Sequence, residues 1–118
     1  MDAPERGEVI VFHAPTEDKD YVKRVIGLPG ERVMISSGAV TIDGRRLEEP
    51  YLDVATPCEP SSETCDLIVP QGMVFVMGDN RGNSSDSRAW GPLDLDHVVG
   101  RAWMVYWPPR EIGLIAAP

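Results

Sequence analysis

Apolar residues in this chain come in short runs, each closed within a few positions by glycine, proline or a polar turn. Residues 8–12, Glu-Val-Ile-Val-Phe, predict a strand between Gly7 and Pro15, because β-branched and aromatic side chains suit a pleated, half-buried surface. Residues 21–28 predict a second strand, stopped by Pro29-Gly30. Arg32–Ser36 and Ala39–Ile42 flank Ser37-Gly38, a tight-hairpin signal, and Asp43-Gly44 repeats it before Arg45, Arg46 and Leu47. Residues 48–66 read as a loop excursion. Residues 66–69 and Met73–Met77 predict short strands around Pro70-Gln71-Gly72, and 98–107 a long apolar strand closed by Pro108-Pro109. No window carries a helical period over three turns. The pattern is mainly β: a folded-over antiparallel sheet or partly open β-barrel, in a single domain over residues 1–118.

Composition narrows the function classes. The formal charge of -8 and pI near 4.6 exclude the positive footprint that nucleic acid requires. They also argue against electrostatic docking on anionic lipid. The sequence contains no apolar run of the length a membrane span needs, and its first residues have no apolar targeting core. Cys58 and Cys65 lie close together in a polar, Pro-rich stretch, with His13 and His97 far away, so no metal site is expected. Two buried thiols are one reading of this pair. A disulfide closing a short loop suits the polar surroundings better and implies an oxidising compartment. No cofactor is implied.

Three stretches carry the candidate chemistry. They are Arg6-Gly7-Glu8-Val9-Ile10-Val11-Phe12; Asp20-Tyr21-Val22-Lys23-Arg24-Val25-Ile26-Gly27-Leu28-Pro29-Gly30-Glu31-Arg32-Val33; and Met77-Gly78-Asp79-Asn80-Arg81-Gly82-Asn83-Ser84-Ser85-Asp86-Ser87-Arg88-Ala89-Trp90-Gly91. In this order and combination the chain resembles type I signal peptidases, bacterial leader peptidases that use a Ser–Lys pair. The resemblance implies a membrane-anchored serine endopeptidase that removes signal peptides from exported preproteins, with its catalytic domain on the extracytoplasmic side.

Residue by residue, the resemblance implies that Lys23 is the general base. An amine accepts a proton only when neutral, whereas a lysine free in water has a pKa of about 10.4 and is charged at pH 7. Apolar surroundings disfavour the charged form, and Val22 and Val25 beside Lys23 supply them. A lone strand lysine is otherwise an ordinary solvated charge. Ser84 matches the serine that orients the lysine amine, Asp86 a supporting carboxylate that Arg88 is able to pair with, and Gly78 a position of close backbone approach. The alternative for 83–88 is a polar turn that satisfies its own backbone. The resemblance also implies that a substrate peptide adds as a strand beside Asp20, Tyr21 and Val22, with Val11 and Val22 as pocket walls or ordinary core.

One departure stands out. The family's nucleophilic serine sits in a Ser-Met-type segment followed by Pro, ahead of the first stretch, and no serine here has that context. The expectation is therefore a segment of a longer protein whose anchor and nucleophile lie upstream, inactive alone; a degenerate homologue is the alternative. Loss of that segment predicts an exposed apolar edge along 9–12 and 21–25, and self-association through it. Two further readings compete: the self-cleaving Ser–Lys domain of SOS-response repressors, which the Gly78-Asp79-Asn80 stretch and the cysteines oppose, and a non-catalytic secreted β-domain that binds extended peptides. The DNA upstream of the Met1 codon discriminates them.

Overall fold

The computed structural model describes residues 3–14, 18–48, 55–82 and 85–101. Its strands, in chain order, are β1 (Val9–His13), β2 (Asp20–Gly27), β3 (Arg32–Ser36), β4 (Ala39–Ile42), β5 (Arg45–Arg46), β6 (Asp66–Ile68), β7 (Met73–Met77), β8 (Leu93–Asp94) and β9 (Val98–Arg101). One helical turn, α1 (Ser87–Trp90), and 3-10 turns at Glu63–Cys65 and Leu95–His97 complete the set. The apolar runs predicted up to Met77 form strands whose ends agree to within a residue. The final strand begins at Val98 and is described to Arg101; its predicted remainder, to Trp107, lies outside the described residues.

The strands form two antiparallel sheets that do not close into a barrel. One runs β8-β7-β2-β1-β9 and the other β5-β4-β3-β6. Both predicted hairpin turns have consecutive left-handed residues: Ser37 and Gly38 at φ 53° and 79°, Asp43 and Gly44 at 51° and 84°. That is the type I′ geometry whose twist matches the flanking strands.

Strand alternation divides the apolar side chains into two clusters. Ile26, Phe75 and Met77 join Val33, Ile35, Val40, Ile42, Leu47 and Val69 in a core drawn from both sheets. Val74 and Val76, neighbours of Phe75 and Met77 but on the opposite face, join Ile10, Phe12, Val25 and Leu93 in a second. β7 and the second half of β2 are therefore buried on both faces, which is why Met73–Met77 reads as a continuous apolar run. A bulge between Val25 and Gly27 lets β2 serve both clusters.

The exposed edge predicted along 9–12 is not present, whereas along 21–25 β7 pairs with β2 only from Arg24 onward. β9 pairs with the outer side of β1, making β1 an interior strand, and Val9, Ile10, Phe12 and Val25 are buried. Within these stretches only Val22 is largely exposed, at 49%. The ground for expecting self-association shrinks to that side chain and the backbone of β2 ahead of Arg24.

Candidate active site

Lys23 lies in the middle of β2, opposite Ile10 of β1, while Tyr21 lies opposite Phe12. Cross-strand partners share a face, so Lys23 and Tyr21 stand on the side of the second cluster, with Ile10, Phe12 and Val25. The Lys23 side chain is half-buried there, its Nζ 5.5 Å from the centre of the Tyr21 ring. Lys19 brings a second ammonium to the same ring at 5.2 Å. Tyr21 itself packs edge-on against Phe12, and Phe12 against Trp90.

Arg24 follows Lys23 on the opposite face and is 4% exposed. Its Nε and Nη2 grip both carboxylate oxygens of Asp79 at 2.9 and 2.7 Å, and Nη1 donates to the Gly7 carbonyl at 2.9 Å. This fork joins β2 to the residues immediately after β7. Register does the same through the backbone, Arg24 lying opposite Met77. Gly78 then donates its N–H to Asp86 at 3.0 Å.

Asp86 is completely buried at the start of α1, where its carboxylate accepts from the Arg88 N–H as a cap. Arg88 also grips both of its oxygens, Nε at 3.0 Å and Nη2 at 2.8 Å. Burial works to raise the Asp86 pKa, but the hydrogen bonds from Arg88 and Gly78, with the Arg88 charge, outweigh it. The carboxyl is held below its ordinary range. Ser87 is buried as well, and its hydroxyl accepts from Val76 N–H at 2.9 Å.

Of the sequence-selected residues, Gly78, Asp86 and Arg88 form one hydrogen-bonded group, and Arg24, on the face opposite the Lys23 side chain, ties β2 to Asp79 beside that group. Ser84, with Asn83, lies outside the described residues. Val11 and Val22 are register partners on the face opposite Lys23. Asp20 opens β2 with its carboxylate 3.3 Å from His13 Nδ1. Cys58 and Cys65 are joined by a disulfide across a sequence separation of 7. The sequence reading passed over Arg24, Asp79 and Ser87. Arg24 carried a usable signal, since a guanidinium inside an apolar strand requires a partner; nothing local identified Asp79.

The edge of β2 is divided. Val25 exchanges backbone hydrogen bonds with Gly7 and Glu8, so by alternation Lys23 and Tyr21 turn their backbone groups toward β1. Arg24, Val22 and Asp20 turn theirs the other way. β7 pairs with that side from Arg24 onward and does not reach Val22 or Asp20.

A family model described as signal peptidase, peptidase S26, matches residues 1–107. The chain belongs to this family. Among similar family members, the probable signal peptidase I-2 of Synechocystis sp. is 40% identical over 119 residues, covering 95% of this chain and 52% of the relative. Signal peptidase I of Leptolyngbya laminosa is 40% identical over 124 residues, covering 98% and 59%. Signal peptidase IB of Staphylococcus aureus is 37% identical over 121 residues, covering 91% and 63%. The chain therefore spans about half to three fifths of the length of these curated relatives. The crystal structure of a signal peptidase I from Enterococcus faecalis V583 superposes with a TM-score of 0.74 at 35% identity, over 86% of this chain and 98% of that one. The two-sheet architecture is the fold of that peptidase S26 structure.

Proposed function

We propose that these residues form the general-base half of a signal peptidase active site, with Lys23 as the base. The observation that carries the reading is the position of Lys23 at the point where β2 changes partners. Its own face is apolar, the next residue locks β2 to the 78–88 segment, and the backbone of the preceding residue turns toward an edge that β7 leaves open.

The chemistry follows from these positions. A peptide laid beside Asp20 and Val22 as an added strand brings its scissile carbonyl to the level of Lys23. The neutral Lys23 amine takes the proton of a serine hydroxyl as that oxygen attacks the carbonyl carbon. The resulting ammonium returns the proton to the departing amine, leaving an acyl-enzyme that water then hydrolyses. Ser84 orients the lysine amine. Asp86 and Arg88 hold the segment that bears Ser84, while Tyr21, Val22 and Val11 limit which side chains fit. The nucleophile belongs to a Ser-Met-type segment ahead of Arg6. The substrates are preproteins bearing signal peptides, met on the extracytoplasmic side of a membrane to which the whole protein is anchored. Among the described residues no helix is long and apolar enough to cross a membrane.

Joining a Ser-Met-x-Pro segment ahead of the chain and offering a signal-peptide-bearing preprotein tests this. The joined protein is expected to cleave, and Lys23→Arg to lower kcat by roughly 10³-fold, because a guanidinium does not become a neutral base. Turnover by the 118-residue chain itself, abolished by mutating one of its own serines, overturns the reading.

A further inference from the structure

Thr56 lies in none of the three motif stretches, yet it is 3% exposed and sits where three parts of the molecule meet. Its N–H donates to the Gly38 carbonyl at 2.8 Å, tying it to the β3–β4 turn. Its hydroxyl accepts from Arg81 Nη1 at 3.0 Å. Arg81 is 1% exposed and donates Nε to the Gly78 carbonyl at 2.7 Å, across the turn that leaves β7. The carbonyl of Arg81 in turn accepts from Arg88 Nη1 at 2.7 Å, and the same nitrogen reaches the carbonyl of Pro57, next to Thr56, at 3.0 Å. Thr64, inside the disulfide loop, donates its hydroxyl to the Arg88 carbonyl.

These contacts have a direction. A buried guanidinium presents five donors and no acceptor, so it stays where acceptors meet it. Thr56 and Pro57 offer acceptors to both arginines that brace the turn between β7 and α1. The Cys58–Cys65 bridge begins one residue later and holds that loop in place. A threonine that merely fills space has no need to aim its hydroxyl at a buried charge.

We propose that Thr56 is a positioning residue of the active site, holding Arg81 against the Gly78 carbonyl and so fixing Gly78 and the Asp86–Arg88 pair that it bonds to beside β2. This rests on reading Lys23 and the 78–88 segment as catalytic machinery. It assigns a role in the chemical step to a loop that touches none of the reacting atoms.

Thr56→Val keeps the volume and removes the acceptor, whereas Thr56→Ser keeps the acceptor. In the protein joined to its nucleophile segment, Val is expected to lower kcat roughly five- to thirtyfold with KM within about twofold, and Ser to stay within about twofold of the parent. In the 118-residue chain, amide exchange with both variants folded gives an answer that does not depend on cleavage. Val is expected to speed exchange at Gly78 and Arg88, whose N–H groups bond to Asp86, and to leave Val33 and Ile42 unchanged. A Val variant with parental kcat, or a Ser variant that falls as far as Val, overturns the kinetic role. Unchanged exchange at Gly78 and Arg88 overturns the positioning itself. If the unsubstituted joined protein does not cleave, the functional reading fails by itself and the exchange measurement still decides the role of Thr56.

Discussion

Asp86 combines complete burial with a carboxyl held below its ordinary range, and that combination fixes how it contributes to stability. As pH falls, the unfolded chain takes up a proton at this position before the folded one does. Its stabilisation is therefore fully present at neutral pH and is lost as pH drops below about 4 and through the depressed folded value. Asp86→Asn leaves the Arg88 guanidinium, 9% exposed, without its counter-charge. We expect a cost of roughly 2–4 kcal/mol at pH 7 from urea unfolding, narrowing as the comparison moves to pH 3. A gap of constant size across that range would mean that charge is not the reason Asp86 is there. At this scale the sequence was legible where a residue's need is local, as in the left-handed turns at Ser37-Gly38 and Asp43-Gly44, and silent where it is distant. Arg24 and Asp79 stand 55 positions apart and Thr56 and Arg81 25 apart, so nothing in either neighbourhood names the partner. Lys23 itself was legible only through the family resemblance, because strand lysines ordinarily face water.

At the scale of elements, β2 carries the tightest constraint after its bulge. A Cβ on Gly27 would meet Val33 Cγ2 at 2.5 Å and Phe75 Cβ at 3.1 Å, both inside the core shared by the two sheets. Both neighbours are fully buried. Gly27→Ala is predicted to destabilise by about 1–3 kcal/mol, seen as a lower denaturant midpoint with an unchanged slope. A midpoint equal to the parent's would show that β3 and β7 yield more easily than their packing implies. Elements were readable when their signal was longer than their surroundings. The runs from β1 to β7 announce themselves by β-branched residues between Gly and Pro punctuation, and Ser37-Gly38 and Asp43-Gly44 by demanding left-handed backbone. β8, with Leu93 and Asp94, and α1, with one helical turn, are too short to show a period. The bulge in β2 went unread although Gly27, a glycine inside a strand pattern, is a signal for one.

For the whole molecule, the decisive fact is that both faces of β7 and of the second half of β2 are occupied. Phe75 and Met77 join the core shared by both sheets while Val74 and Val76 join a cluster built within the five-stranded sheet, so the four-stranded sheet has no core that it does not share with the other. Unfolding is predicted to be a single transition, with near-UV and far-UV signals superimposing and the calorimetric and van't Hoff enthalpies equal. Separate midpoints for the two signals would show that the sheet formed by β3–β6 melts independently. The two-sided burial has a further consequence. Proteases act on chain that is locally extended and accessible, a form that partial opening usually supplies. β7 and the second half of β2, from Arg24 on, are buried on both faces and do not open without disturbing the clusters they serve. On the proposed reading this domain works among extended chains, and the segments of its own central strands that carry the cores are kept from becoming one.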